Sequence, residues 1–174
     1  DICLTAVKEA KKRNITISCD LNYRKKLWSK QEANETMSKL AEYIDVVIAN
    51  EEDAADVFDI HASKSDVTKG ELNRDGYIEV AKKLTDKFGF KKVAITLRES
   101  ISANDNKWSG MLYVNGEAYF SRKYDVHIVD RGGGGDSFCG GLIYSLLNEF
   151  EPQKAIEFAV GASCLKHTIE GDYN

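Results

Sequence analysis

The sequence predicts an α/β fold, a mostly parallel sheet covered by helices with one antiparallel hairpin. Two observations carry this expectation. Apolar residues recur at helical spacing and then in short β-branched runs, in alternation along most of the chain, which is the pattern of βαβ units. One of these runs, Asp45 to Ala49, is apolar at nearly every position, as in strands buried on both faces within a parallel sheet.

Cys3, Ala6, Val7 and Ala10 follow i, i+3, i+4, i+7 and predict a helix over the first dozen residues. Ile15 to Asp20 predicts a strand, with the polar loop Leu21 to Lys26 at its C-terminal end. Ala33, Met37, Leu40, Ala41 and Ile44 make the next helical stripe, and Asp45 to Ala49 the next strand. A short helix is expected after Asn50, then a long polar stretch from Asp59 to Arg74, then a helix carrying Ile78, Ala81, Leu84 and Phe88. The strand Lys92 to Leu97 follows, then a polar segment from Arg98 to Trp108. Gly110 to Val114 and Ala118 to Phe120 flank Asn115-Gly116, the favoured pair for a two-residue hairpin turn. One more strand is expected between Asp125 and Val129. Two helices complete the reading, one after a run of glycines and one opened by Pro152, the only proline.

At 174 residues, 43% hydrophobic and 30% charged, the chain has ordinary globular composition, and one domain is expected. Its 24 basic and 28 acidic residues leave a net charge of −4, which argues against nucleic acid or an anionic membrane surface as partner. No apolar stretch approaches the roughly 20 residues of a membrane helix, and the first residues lack the pattern of a signal peptide, so a cytoplasmic location is expected. Cys3, Cys19, Cys139 and Cys164 form no C-x-x-C pair and are read as reduced, buried packing residues. His61, His127 and His167 share no metal spacing and are read as structural or surface residues.

In a sheet of this type ligands bind beyond the C-terminal ends of the strands, where several polar clusters fall. The most informative is Asp130-Arg131-Gly132-Gly133-Gly134-Gly135-Asp136-Ser137-Phe138. Consecutive glycines allow positive φ and aim several N–H groups at one point, and the helix that follows makes this an anion site. It lacks the Gly-Lys-Ser/Thr ending of the Walker loop. A carboxylate at Asp136 would repel a bound phosphate unless it accepts a proton from a hydroxyl attacking phosphorus. The competing reading is that Asp136 or Ser137 caps the helix and the glycines are a flexible lead-in.

This string resembles the second signature of the PfkB, or ribokinase-like, family of carbohydrate kinases, Asp-Thr-x-Gly-Ala-Gly-Asp-Ser/Thr-Phe. Asp130, Gly133, Gly135, Asp136, Ser137 and Phe138 match, while Arg131 stands for Thr and Gly134 for Ala. The resemblance implies a ribokinase-like three-layer α/β/α sandwich. It implies Asp136 as catalytic base, with the amides of Gly133, Gly134 and Gly135 as the anion hole, and ATP and Mg2+ as cofactors. Asp20-Leu21-Asn22-Tyr23-Arg24 looks like the family's Asp-x-Asn-x-Arg segment, which places Asn22 and Arg24 where acceptor and ATP phosphates meet. A planar guanidinium suits a carboxylate or phosphate. Asn50-Glu51-Glu52-Asp53 resembles the family's Asn-x-x-Glu motif, which organises water around magnesium; Asp53 is one methylene short, so Glu52 is included with Asn50 and Asp53. A solvated acidic first turn of a helix is the plainer reading of those acids. Leu97, Arg98, Glu99 and Ser100 fall where family members cover the nucleotide.

The segment from Arg98 to Trp108, the hairpin and the ending Lys166 to Asn174 look most like family members that phosphorylate a keto-deoxy sugar acid. In that group the residue matching Asp172 contacts the acceptor's hydroxyls. The resemblance covers the whole chain but only the C-terminal part of the family's length, so the N-terminal strands, the first glycine-rich signature and the lid are expected to lie elsewhere. Homo-oligomerisation would run through that lid. Rival readings are a kinase of fructose, ribose or a deoxy-inositol-pathway acid, and a non-catalytic sugar or nucleotide sensor.

Overall fold

Helices and strands alternate in the first half of the chain as the periodicity requires, and four strands then follow in succession before the last two helices. In the computed structural model, residues 2–50, 52–62 and 74–171 are described. The chain divides into two compact units, Asp1–Ile95 with Tyr113–Gly116 and Thr96–Leu112 with Glu117–Asn174. The strands β3 (Lys92–Ser100) and β4 (Asp105–Val114) contribute residues to both.

In the first unit, α1 (Ile2–Lys12), β1 (Ser18–Asp20), α2 (Lys30–Ala41), β2 (Val46–Asn50), α3 (Asp53–Phe58) and α4 (Arg74–Phe88) precede β3. β1 and β2 are parallel, with Ser18, Cys19 and Asp20 opposite Val46, Val47 and Ile48, and β3 is the other neighbour of β2. β2 is buried from Val46 to Ala49, as the unbroken apolar run demanded. Ser29 and Glu32 close a capping box that starts α2, and Ala33, Met37 and Ala41 turn to the core. Phe58, Phe88 and Phe90 pack as tilted rings, with centroids 4.6 and 5.4 Å apart.

In the second unit, β4 pairs antiparallel with β6 (Tyr124–His127) and neighbours β5 (Glu117–Phe120). The hairpin turn has φ of 53° at Asn115 and 83° at Gly116, the left-handed pair that such a turn needs. α5 (Gly134–Leu147) packs on α6 (Pro152–His167), where Gly141 admits the Ala159 backbone; an added Cβ would stand 3.0 Å from it. Pro152 opens α6 in its first turn.

Several sequence expectations change. β1 begins at Ser18 rather than Ile15, because the Ile17 carbonyl accepts from the N–H groups of Asp45 and Val46 instead of extending the ladder. β3 runs on to Ser100 and β4 starts at Asp105, so much of the polar segment is strand joined by a tight turn, with Ile101 and Ser102 N–H groups on the Asp105 carbonyl. None of the α1 residues is buried, although the predicted stripe is present. All four cysteines are free, as expected, but Cys3 is exposed and the others are half-buried rather than buried. Most of the polar stretch between Asp59 and Arg74 lies outside the described residues.

Asp45 ties the first unit together. Its carboxylate, 3% exposed, accepts from Ile17 N–H at 3.0 Å and pairs with Lys11 and Lys91 at 2.9 Å each. Burial alone would raise its pKa, but the hydrogen bonds from Lys11, Ile17 N–H and Lys91 outweigh it and bring the pKa from 3.8 to about 2. A depressed carboxylate pKa contributes stability that is present above the unfolded value and lost as pH falls through the folded one. Asp45→Ala is therefore expected to cost about 2 kcal/mol at pH 7 by denaturant unfolding. The difference from wild type should shrink as pH falls from 3.8 toward about 2. A difference that does not change over that window would contradict this account.

Candidate active site

At the end of β1 the chain must turn without losing its backbone hydrogen bonds. Leu21 N–H still reaches the Ile48 carbonyl at 2.9 Å, and Asn22, at φ 41°, donates its N–H to Asp20 Oδ1 at 3.1 Å. This is an Asx turn, and it explains an asparagine in a left-handed conformation. The loop continues with Tyr23 Oη donating to the Trp28 carbonyl at 3.2 Å and Leu27 N–H to the Arg24 carbonyl at 2.9 Å. Arg24 is exposed, its Nη1 on the Tyr23 carbonyl at 3.2 Å.

The end of β2 meets this loop within the same unit. Asn50 Oδ1 accepts from Glu52 and Asp53 N–H at 2.8 and 3.0 Å, and Asn50 N–H returns to Asp53 Oδ2 at 2.9 Å. Asp53 Oδ1 accepts from Tyr23 N–H at 3.4 Å. Burial pushes the Asp53 pKa up, and the N–H groups of Asn50 and Tyr23 offset only part of that rise. Arg24, Lys25 and Lys26 line a cavity of about 610 Å³ together with Asn50, Glu52, Asp53 and Asp56. Basic and acidic side chains thus share a space large enough for phosphate groups.

Asp53 spends both oxygens on backbone, and Asn50 spends its amide oxygen likewise, which leaves the exposed Glu52 as the more accessible carboxylate. Among the described residues no three His, Cys, Asp or Glu side chains gather to hold a metal ion. The donors present suit a magnesium ion that keeps its waters and takes one or two carboxylates beside substrate phosphates.

In the second unit the glycine run is held from several sides. Val129 and Asp130 N–H groups donate to the His167 carbonyl at 2.8 and 3.4 Å. Asp130 accepts from Gly132 N–H at 2.8 Å and Gly171 N–H at 3.0 Å, and these two bonds draw its pKa below the usual carboxylate value. The Arg131 guanidinium donates to the Ala103 carbonyl. Gly133, at φ 69°, turns the chain into α5, a conformation that favours glycine. Ser163 Oγ donates to the Gly134 carbonyl at 2.8 Å.

No side chain caps α5, so the capping reading of Asp136 and Ser137 is not what the structure shows. Gly135 and Asp136 are exposed in the first turn. The start of the helix is open to an anion, with a carboxylate within one turn of it.

Leu97 is fully buried in β3, so its side chain belongs to the core. Arg98 and Ser100 are exposed, Glu99 pairs with Lys123, and Ser100 Oγ donates to Asn106 Oδ1 at 3.2 Å. Asp172, named with Arg24 for the acceptor, lies outside the described residues. His167, expected to be structural or at the surface, is buried with its ring 4.7 Å from that of Trp108 and beside Gly134. Burial holds its pKa below the ordinary histidine value. Ser163 is the loop partner that the sequence does not single out, since nothing in a helical serine marks it as one.

A helix that opens on uncapped glycine amides, with a carboxylate on its first turn, is an arrangement suited to transferring a phosphoryl group. The chain belongs to the pfkB family of carbohydrate kinases, whose model matches residues 1–174. It is 52% identical to a solved 2-dehydro-3-deoxygluconokinase from Thermotoga maritima, with a TM-score of 0.90 over 98% of this chain and 50% of that one. A PfkB carbohydrate kinase from Listeria grayi is 32% identical, with a TM-score of 0.87 over 99% of this chain and 51% of that one. A 2-dehydro-3-deoxygalactonokinase from Haloferax volcanii is 27% identical over 95% of this chain and 46% of its own length. The chain therefore spans about half the length of the relatives it matches.

The Asp53 clasp is testable by stability. Asp53→Ala leaves two N–H groups without their acceptor and should cost about 2 kcal/mol in denaturant unfolding. Asp53→Asn keeps one acceptor, removes a buried charge and should cost less than half as much. Equal losses for the two would contradict the clasp.

Proposed function

We propose that the complete polypeptide transfers the γ-phosphoryl group of ATP to the terminal hydroxyl of a sugar acid, 2-keto-3-deoxygluconate, giving the 6-phosphate and ADP. The observation that carries this reading is the uncapped start of α5 with Asp136 exposed in its first turn. Support for the acceptor comes from the 52% identity to the Thermotoga maritima kinase.

In this reading Asp136 takes the proton of the acceptor hydroxyl as its oxygen attacks the γ-phosphorus and the bond to the ADP oxygen breaks. The amides of Gly133, Gly134 and Gly135 meet the charge that develops on the transferred group, with little reorganisation because the backbone is already turned. Magnesium, when bound with ATP, would neutralise charge on the phosphates, and Glu52 would hold it through water, with Asn50 and Asp53 shaping the turn that presents Glu52. Asn22 and Arg24 orient phosphate and the acceptor carboxylate, Asp172 contacts the acceptor's hydroxyls, and the backbone from Leu97 to Ser100 borders the nucleotide. The portion of the polypeptide beyond this chain would supply the lid that excludes water and pairs subunits. Among the described residues no helix is long and apolar enough to cross a membrane.

Asp136→Asn should lower turnover about 10³-fold while ATP binding, read by calorimetry, stays within a factor of a few. Near-normal turnover would remove Asp136 from the role of base. Arg24→Ala should raise the KM for the sugar acid about tenfold or more. Loss confined to acceptors that lack a carboxylate would contradict its role.

A further inference from the structure

Asp130 matches the first position of the glycine signature, yet it lies before the loop and outside the helix that carries the base. Its two oxygens go to different places. Oδ1 accepts from Gly132 N–H at 2.8 Å, at the entrance to the glycine run, and Oδ2 accepts from Gly171 N–H at 3.0 Å, beyond the end of α6. The backbone beside it is fixed as well, since Val129 and Asp130 N–H groups share the His167 carbonyl. Lys166, buried in the last turn of α6, donates to the Ile169 carbonyl at 3.2 Å and adds its charge to the neighbourhood of Asp130.

We infer that Asp130 is a positioning residue that fastens the glycine loop to the segment after α6, so that the two are ordered together. The inference rests on the reading above, in which the loop meets the phosphoryl group and the residue after Gly171 in the sequence meets the acceptor. A carboxylate suits this task because both of its oxygens accept, and charge-assisted bonds to N–H groups are the stronger kind. Asparagine cannot reproduce it. Its oxygen can serve one glycine, but its NH2 group then faces the other N–H as donor against donor. The loop and the tail would each keep their own turns and lose their common anchor. Ser163, on the preceding turn of α6, adds a second tie through the Gly134 carbonyl, so Asp130→Asn should loosen the loop without unfolding it.

The test compares wild type, Asp130→Asn and Asp130→Glu in the complete polypeptide. Amide hydrogen exchange at Gly132 and Gly171 is followed beside kcat, the KM for 2-keto-3-deoxygluconate and the melting temperature. In Asp130→Asn, exchange is expected to quicken about tenfold at both glycines, with the acceptor KM raised and kcat lowered about tenfold each and the melting temperature within a few degrees of wild type. Asp130→Glu, which keeps both acceptors one methylene further out, should restore part of the protection and part of kcat. Unchanged exchange at either glycine, or wild-type kinetics with both glycines freed, would overturn the inference. Wild-type protein that releases no ADP with any acceptor would sink the kinase reading instead, and the exchange data would still decide whether Asp130 joins the two segments.

Discussion

Backbone N–H groups that leave a strand must find another acceptor, and in this chain short carboxylates take them. Asp20 accepts from Asn22, Asp45 from Ile17, Asp53 from Tyr23 and Asn50, and Asp130 from Gly132 and Gly171. Each sits beside a strand end, where the ladder stops and loops begin. The loops that carry Asn22, Arg24, Asn50 and the glycine run take their shapes from these bonds. An alanine at any of the four positions would remove the acceptor that these N–H groups use.

The same economy separates the acids that build from the acids that can react. Asp53 and Asp130 have both oxygens on backbone, so they hold loops. Glu52 and Asp136 are exposed on first turns or just ahead of them, and the proposed reaction uses these two. The glycine loop follows the same logic from the other side. It is anchored through the Gly134 carbonyl and through Asp130, while the amides at the start of α5 receive no cap. A rigid loop with unspent donors is what stabilisation of developing charge requires.

Much of the fold was legible because burial writes itself into sequence. The run Val46 to Ala49, the stripe of α2, the Asn115-Gly116 turn and Pro152 each follow from one local rule. The polar ends of β3 and β4 were hidden, since strands with exposed Arg98 and Ser100 carry no apolar run to read. Nor could Ile15 to Ile17 show that Asp45, distant in sequence, would end their ladder early. For the site, Asp136 and the glycines stood out because charge beside a glycine turn is chemically odd. The hydrogen bonds that tie Asp53 to Tyr23 and Asn50 exist only once two loops meet, so the sequence alone does not show them. His167 and Ser163 reach the loop from one face of α6, and a helix face does not announce its neighbour.

Because the chain spans about half the length of its relatives, the acceptor is the part of the account that most needs a direct measurement. That measurement is ADP release by the complete polypeptide from ATP and magnesium, with 2-keto-3-deoxygluconate set against 2-keto-3-deoxygalactonate, fructose, ribose and no acceptor. The account predicts the highest kcat/KM with 2-keto-3-deoxygluconate and little release without an acceptor. Equal or better turnover of a neutral sugar would contradict the sugar-acid assignment, and ATP binding without release on any acceptor would contradict the kinase reading itself.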